Sequence, residues 1–114
     1  MSGVPQWRQI IIEQLRVLAS ERGQLEYERN VPHVDITVEL VCGWFDDSYH
    51  PEDAHFCSCF TDEELAALAD FTATFQERKA HLPVSNGTVT SWLASPSWRE
   101  LMRAASRTLA RLAA

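Results

Sequence analysis

Residues 44–65, WFDDSYHPEDAHFCSCFTDEEL, concentrate the reactive side chains of this 114-residue chain. His50, His55, Cys57 and Cys59 fall within ten residues, and imidazole with thiolate is a donor set that suits Zn²⁺. The spacing departs from the common zinc fingers, because Cys57-x-Cys59 is tighter than Cys-x₂₋₄-Cys and no second pair follows. The competing reading puts both histidines on a surface loop and treats Cys57 or Cys59 as a small core hydrophobe. A nucleophilic thiol needs a cation or a helix N-terminus to lower its pKa. Here Glu52, Asp53, Asp62 and Glu63 surround the thiols in sequence and act in the opposite direction, which argues against a Cys–His enzyme. The Asp46-Asp47 pair has the form of an acid–base or Mg²⁺ dyad. No glycine-rich phosphate loop, G-x-S-x-G or H-E-x-x-H motif accompanies it to hold a substrate. The expectation is a non-enzyme with no catalytic residue, no bound metal and no cofactor.

Charge distribution carries the stronger signal. Residues 31–70 contain no Lys or Arg but ten carboxylates, including Asp35, Glu39, Asp46, Asp47, Glu52 and Asp53. Residues 1–30 are neutral, and residues 71–114 carry six Lys and Arg against Glu77 and Glu100. The net charge of −6 is thus an acidic middle between a neutral and a basic flank. Such a balance argues against a nucleic-acid binder, which needs a basic surface for phosphates, and for a basic partner or for nothing beyond solubility. Trp44, Phe45, Tyr49, Phe56 and Phe60 are interleaved with the carboxylates of 44–65. Aromatic anchors supply burial energy at an interface, while carboxylates steer and orient what binds. The partner-binding candidates are Asp46, Asp47, Tyr49, Glu52, Asp53, Phe56, Asp62 and Glu63.

These residues need elements to position them. Length fits a single domain over 1–114, and 46% apolar composition fits a globular core. No apolar run reaches the roughly 20 residues of a membrane span. The N-terminus lacks a secretory pattern, and three cysteines suggest no disulfide framework, so a cytoplasmic protein is expected. The spacing of Trp7, Ile10, Ile11, Leu15 and Leu18 predicts a helix over 5–22, stopped by Gly23. Residues 24–33 read as a polar connection with a short extended piece. Residues 35–48 fit either a helix capped by Thr37 or a strand; helix is preferred, with a minor β-hairpin near 24–42 as the alternative. Residues 49–60 read as a loop.

Thr61-x-x-Glu64 then opens a helix with a capping box, Phe60 and Leu65 stand at staple positions, and Arg78-Lys79 close it. Asn86-Gly87 predicts a turn, residues 89–94 a short helix, and Ser95-Pro96 the start of the last helix. On that last helix Arg99, Arg103, Arg107 and Arg111 form a stripe opposite the apolar side; it reads as a solvated face, paired in part with the acidic segment. The fold class is mostly α, a single small domain of four or five helices.

The segments WFDDSYHP at 44–51, FTDEELAALADF at 60–71, LP at 82–83 and SWLASPSWRELMRAASRTL at 91–109 resemble small bacterial immunity proteins of toxin–immunity systems, in particular those of contact-dependent growth inhibition. The resemblance spans residues 34–112. It implies a cytoplasmic, non-enzymatic protein that binds and neutralises the C-terminal toxin domain of a secreted partner, often a nuclease with a basic cleft. Toxin-contacting residues of such proteins follow no fixed motif, so no position carries over. Two other classes stand beside this one: a metal-binding protein or metal-dependent enzyme using His50, His55, Cys57 and Cys59, and a homodimeric regulatory protein.

Overall fold

The first helix, α1 (Trp7–Ala19), forms because Ile11, Leu15 and Leu18 recur on one face, and all three are fully buried. The computed structural model describes residues 6–82 and 88–112. In it α1 ends earlier than its periodicity predicts. Ser20 turns extended and caps a second helix, α2 (Glu21–Asn30), its hydroxyl accepting the Gly23 amide at 2.8 Å. Gly23 therefore sits in the first turn of α2 rather than stopping α1. The polar connection expected at 24–33 is largely this helix.

The mostly α class holds, and the β-hairpin alternative does not: the described residues contain no strand. Its proposed partner segment is helical, which leaves residues 35–48 nothing to pair with. They form α3 (Ile36–Cys42) followed by a π-helical turn, Gly43–Ser48. The cap of α3 is Asp35, not Thr37. Asp35 Oδ1 accepts the amides of Thr37 and Val38, and the Thr37 hydroxyl donates to the same oxygen at 2.6 Å. The Thr37 side chain is thus occupied as a donor and buried. In the π turn the Tyr49 amide reaches back five residues to the Trp44 carbonyl at 2.9 Å. That bond sets Tyr49 over Trp44, and their rings stack at 5.4 Å. Gly43 permits the turn to approach α1, since a Cβ there would lie 2.8 Å from Gln14 Nε2.

The loop expected at 49–60 contains a short helix, α4 (Ala54–Ser58), capped by Asp53. Then come α5 (Asp62–Lys79), α6 (Val89–Leu93) and α7 (Pro96–Leu112). Of these seven helices, five have seven residues or more. The capping box of α5 is present as read, with Thr61 Oγ1 accepting the Glu64 amide at 3.1 Å and Glu64 Oε1 accepting the Thr61 amide at 2.9 Å. The turn expected at Asn86-Gly87 lies outside the described residues.

Helix α7 is the central element, packed on α1 along one side and on α5 along the other. It buries Trp98, Leu101, Met102, Ala105 and Leu112. Helix α6 is fastened at both ends. The Glu28 carboxylate of α2 accepts the Val89 amide at 2.9 Å, and Arg99 Nε donates to the Leu93 carbonyl at 2.7 Å.

One buried polar side chain organises this half of the core. Gln24 is fully buried, its Nε2 donates to the Val17 and Leu18 carbonyls, and its Oε1 accepts Trp98 Nε1–H at 2.9 Å. It thus ends α1, belongs to α2 and holds the largest residue of α7. Gln24→Leu would leave the indole N–H and the Leu18 carbonyl without these partners in a dry site, while the Val17 carbonyl keeps the Ser20 amide. A loss of about 2–4 kcal/mol is expected. An unchanged urea midpoint would contradict it.

Candidate functional site

The acidic stretch lies alongside α5 and runs opposite to it. Near the C-terminal end of α5, Phe45 packs on Phe75 at 5.0 Å and carries the Lys79 ammonium over its ring at 4.5 Å. Further along, Trp44 meets Phe71 edge-on and donates its Nε1–H to Thr72 Oγ1 at 3.0 Å. At the N-terminal end, Phe56 meets Phe60 at 4.9 Å just before the helix begins. The carboxylates are therefore strung along one flank of α5, on a wall of aromatic rings. At about 1.5 Å per residue, Asp62 and Lys79 at the two ends of the helix stand roughly 25 Å apart.

Asp46, Asp47, Glu52, Asp53, Asp62 and Glu63 are all exposed. Among the described residues none of these six is paired with a Lys or Arg; Glu52 has only the His50 ring, at 3.7 Å. Asp53 also serves the fold, since its Oδ1 accepts the His55 and Phe56 amides. Tyr49 is half-buried between Trp44 and Phe56, and burial pushes its phenol pKa up. Phe56 corrects the sequence reading. It is fully buried among Trp7, Tyr49, His50 and Phe60, so it supports the surface from beneath and offers no area of its own.

Glu64 is the carboxylate of this stretch that the fold engages most. Arg8 grips it with two parallel bonds of 2.8 Å, and the same guanidinium donates to the Leu112 carbonyl at 2.7 Å and the Cys59 carbonyl at 3.3 Å. One side chain of α1 thereby joins the start of α5, the end of α7 and the end of the acidic loop. The Arg8 bonds, with further help from the Thr61 amide and against an opposing effect of burial, hold the Glu64 carboxyl down at about 2. Sequence reading missed Arg8. The available signal was its place beside Trp7, at the edge of the apolar stripe of α1.

The structure does not assemble the four soft side chains into a ligand cage. The Cys57 thiol donates to the Pro51 carbonyl at 3.2 Å and the Cys59 thiol to the His55 carbonyl at 3.4 Å. His50 packs against the Trp7 ring at 4.7 Å. Among the described residues no three His, Cys, Asp or Glu side chains are placed to hold a metal ion. No helix there is long and apolar enough to cross a membrane.

Comparison with protein-family models, curated proteins and solved structures finds no match for this chain. The site must be read from its own residues.

The arginine stripe of α7 does not pair across the fold with the acidic segment. Arg99 bonds Glu21 of α2 at 2.8 Å, and no ion pair forms at Arg103, Arg107 or Arg111 among the described residues. Arg111 only shares a shallow surface depression with Glu63. Among the described residues the ion pair between the acidic segment and a flank is Arg8–Glu64.

That link makes stability acid-sensitive in a defined window. Because the fold lowers the Glu64 pKa from 4.5 to about 2, its contribution is complete above the higher value and is lost as pH falls toward the lower one. Glu64→Gln should cost about 1–3 kcal/mol at neutral pH, the Arg8 side being partly solvated. It should also flatten the acid-induced loss across that window. Urea titrations at a series of pH values measure both, and a variant that loses stability as steeply as wild type would contradict the assignment.

Proposed function

We propose that this protein is an immunity protein that binds a cognate toxin domain and neutralises it stoichiometrically, in the cytoplasm of a bacterium and without enzymatic activity of its own. The observation that carries this reading is the row of exposed carboxylates on a packed aromatic wall, none of the six ion-paired with an arginine or lysine among the described residues. Unpaired like charges repel one another and lower the stability of a fold. A partner that supplies the missing cations gains from them in rate of encounter and in orientation. The resemblance of residues 34–112 to immunity proteins of contact-dependent growth inhibition points the same way. A nuclease toxin fits the sign of the charge, since its cleft is basic to hold phosphates and the carboxylates would lie where phosphates otherwise do.

The surface consists of Asp46, Asp47, Glu52, Asp62 and Glu63, with Tyr49 at its half-buried floor and Asp53 as both cap and charge. The packed rings beneath it matter, because a backbone already held in place loses little conformational entropy on docking.

The test is growth. The C-terminal domain encoded by the open reading frame immediately upstream is expressed with and without this protein. Arrest that the protein relieves is the expected result, and the nucleic acids of the arrested cells then reveal the toxin's chemistry. An upstream domain that is harmless, or toxic regardless of this protein, would overturn the proposal.

Charge reversal examines the mechanism separately. Asp46→Lys, Asp47→Lys and Glu52→Lys together leave the Asp53 cap intact. They should slow association with the toxin domain by roughly tenfold or more at low salt, with the difference shrinking as salt screens it. Stopped-flow fluorescence measures this rate, and an unaltered rate would remove the electrostatic mechanism.

A further inference from the structure

Five aromatic side chains are interleaved with the carboxylates of the acidic row, and the fold divides them. Trp44, Phe56 and Phe60 are buried, while Phe45 and Tyr49 keep part of their surface in solvent. Tyr49 is already covered, stacked on Trp44 and met edge-on by Phe56. Phe45 packs on Phe75 at 5.0 Å, and what lies over its ring is a cation, the Lys79 ammonium at 4.5 Å.

Lys79 is the only lysine of the sequence, the last residue of α5, and exposed. Asp46 and Asp47 follow Phe45 directly in the same π turn and are exposed too. Yet Lys79 pairs with neither, and among the described residues it enters no ion pair at all. Its ammonium sits on the ring instead, which shows what the Phe45 face accepts.

A solvated ammonium is held there only weakly, because it stays hydrated and the ring offers little more than its quadrupole. A guanidinium is the stronger occupant. It is planar and less hydrated, stacks on a ring face, and gives two parallel bonds to a carboxylate. Phe45 with Asp46 and Asp47 in one turn offers both kinds of contact, of which Lys79 uses one. A displaced ammonium would still stand at the C-terminal end of α5, where a cation is favoured.

We propose that the Phe45 ring is the seat for an arginine of the toxin domain, and that Lys79 holds this seat until the incoming guanidinium displaces it. The inference rests on the immunity reading and deepens it, by naming the partner's side chain and the aromatic contact that receives it. Phe45 takes the anchoring role that the buried Phe56 cannot fill.

Lys79 reports its own displacement. Over an aromatic ring its ε-methylene protons resonate upfield of an ordinary lysine, and a single lysine gives a single signal in NMR of lysine-labelled protein. Addition of the upstream-encoded toxin domain should return that signal to its ordinary position. Calorimetry then gives the affinities of wild type, Phe45→Leu, Lys79→Met and the double variant, with thermal midpoints alongside. Phe45→Leu keeps an apolar side chain on Phe75 but removes the ring face, and a loss of roughly fivefold or more is expected. Lys79→Met removes the competitor and should tighten binding roughly threefold, with most of that gain absent in the Phe45→Leu background. A Lys79 signal that stays upfield in the complex would overturn the proposal and leave the immunity reading standing. Equal gains from Lys79→Met in both backgrounds would do the same, since Lys79 would then act only as a like charge. No binding by wild type would overturn both.

Discussion

A single guanidinium joins the parts of this fold that are farthest apart in sequence. Arg8 reaches from α1 to Glu64 at the start of α5, to the last described carbonyl of α7 and to the Cys59 carbonyl. These groups belong together electrostatically. The C-terminal end of α7 presents unpaired carbonyls, which favour a cation, and the N-terminal end of α5 favours an anion. Arg8 and Glu64 satisfy both helix ends and each other. With them in place, α1, α5 and α7 close around one core, and the acidic loop is pinned where it enters α5.

What the pinning leaves outside is as informative as what it holds. The same loop places Trp44, Tyr49, Phe56 and Phe60 inward, in ring contacts that continue through Phe71 and Phe75 to Trp98. Its carboxylates face out. Among the described residues Arg78 pairs with Glu100, Arg99 with Glu21 and Arg8 with Glu64, while the Lys79 ammonium rests on the Phe45 ring. Asp46, Asp47, Glu52, Asp53, Asp62 and Glu63 are left without a Lys or Arg ion pair among the described residues. The basic partner proposed above would supply the opposite charge that these carboxylates lack.

The sequence is legible where structure is local. The α5 capping box needs only Thr61 and Glu64, and it is found as read. The same is true of α6 and of the start of α7 at Pro96. The break between α1 and α2 is not local. It is held by Gln24 meeting Trp98 across the core, and α2 has few apolar residues, Leu25 and Tyr27, to announce itself. The π turn also escapes a pattern reading, because it is selected by Trp44 and Tyr49 stacking against α5. Most of the candidate site was visible as charge, since exposed carboxylates are legible from composition. Phe56 was placed on the wrong side because an aromatic residue in an acidic loop carries no sign of which way it faces.

The most direct test of the central claim is the mass of the complex in solution. Purified protein is mixed with the purified upstream-encoded domain, and light scattering coupled to size exclusion is recorded at low and at high salt. A one-to-one complex, formed by a protein that is monomeric alone, is the predicted result, with its association slowing as salt rises. Two species that elute separately at every ratio would contradict it, as would a complex indifferent to salt throughout.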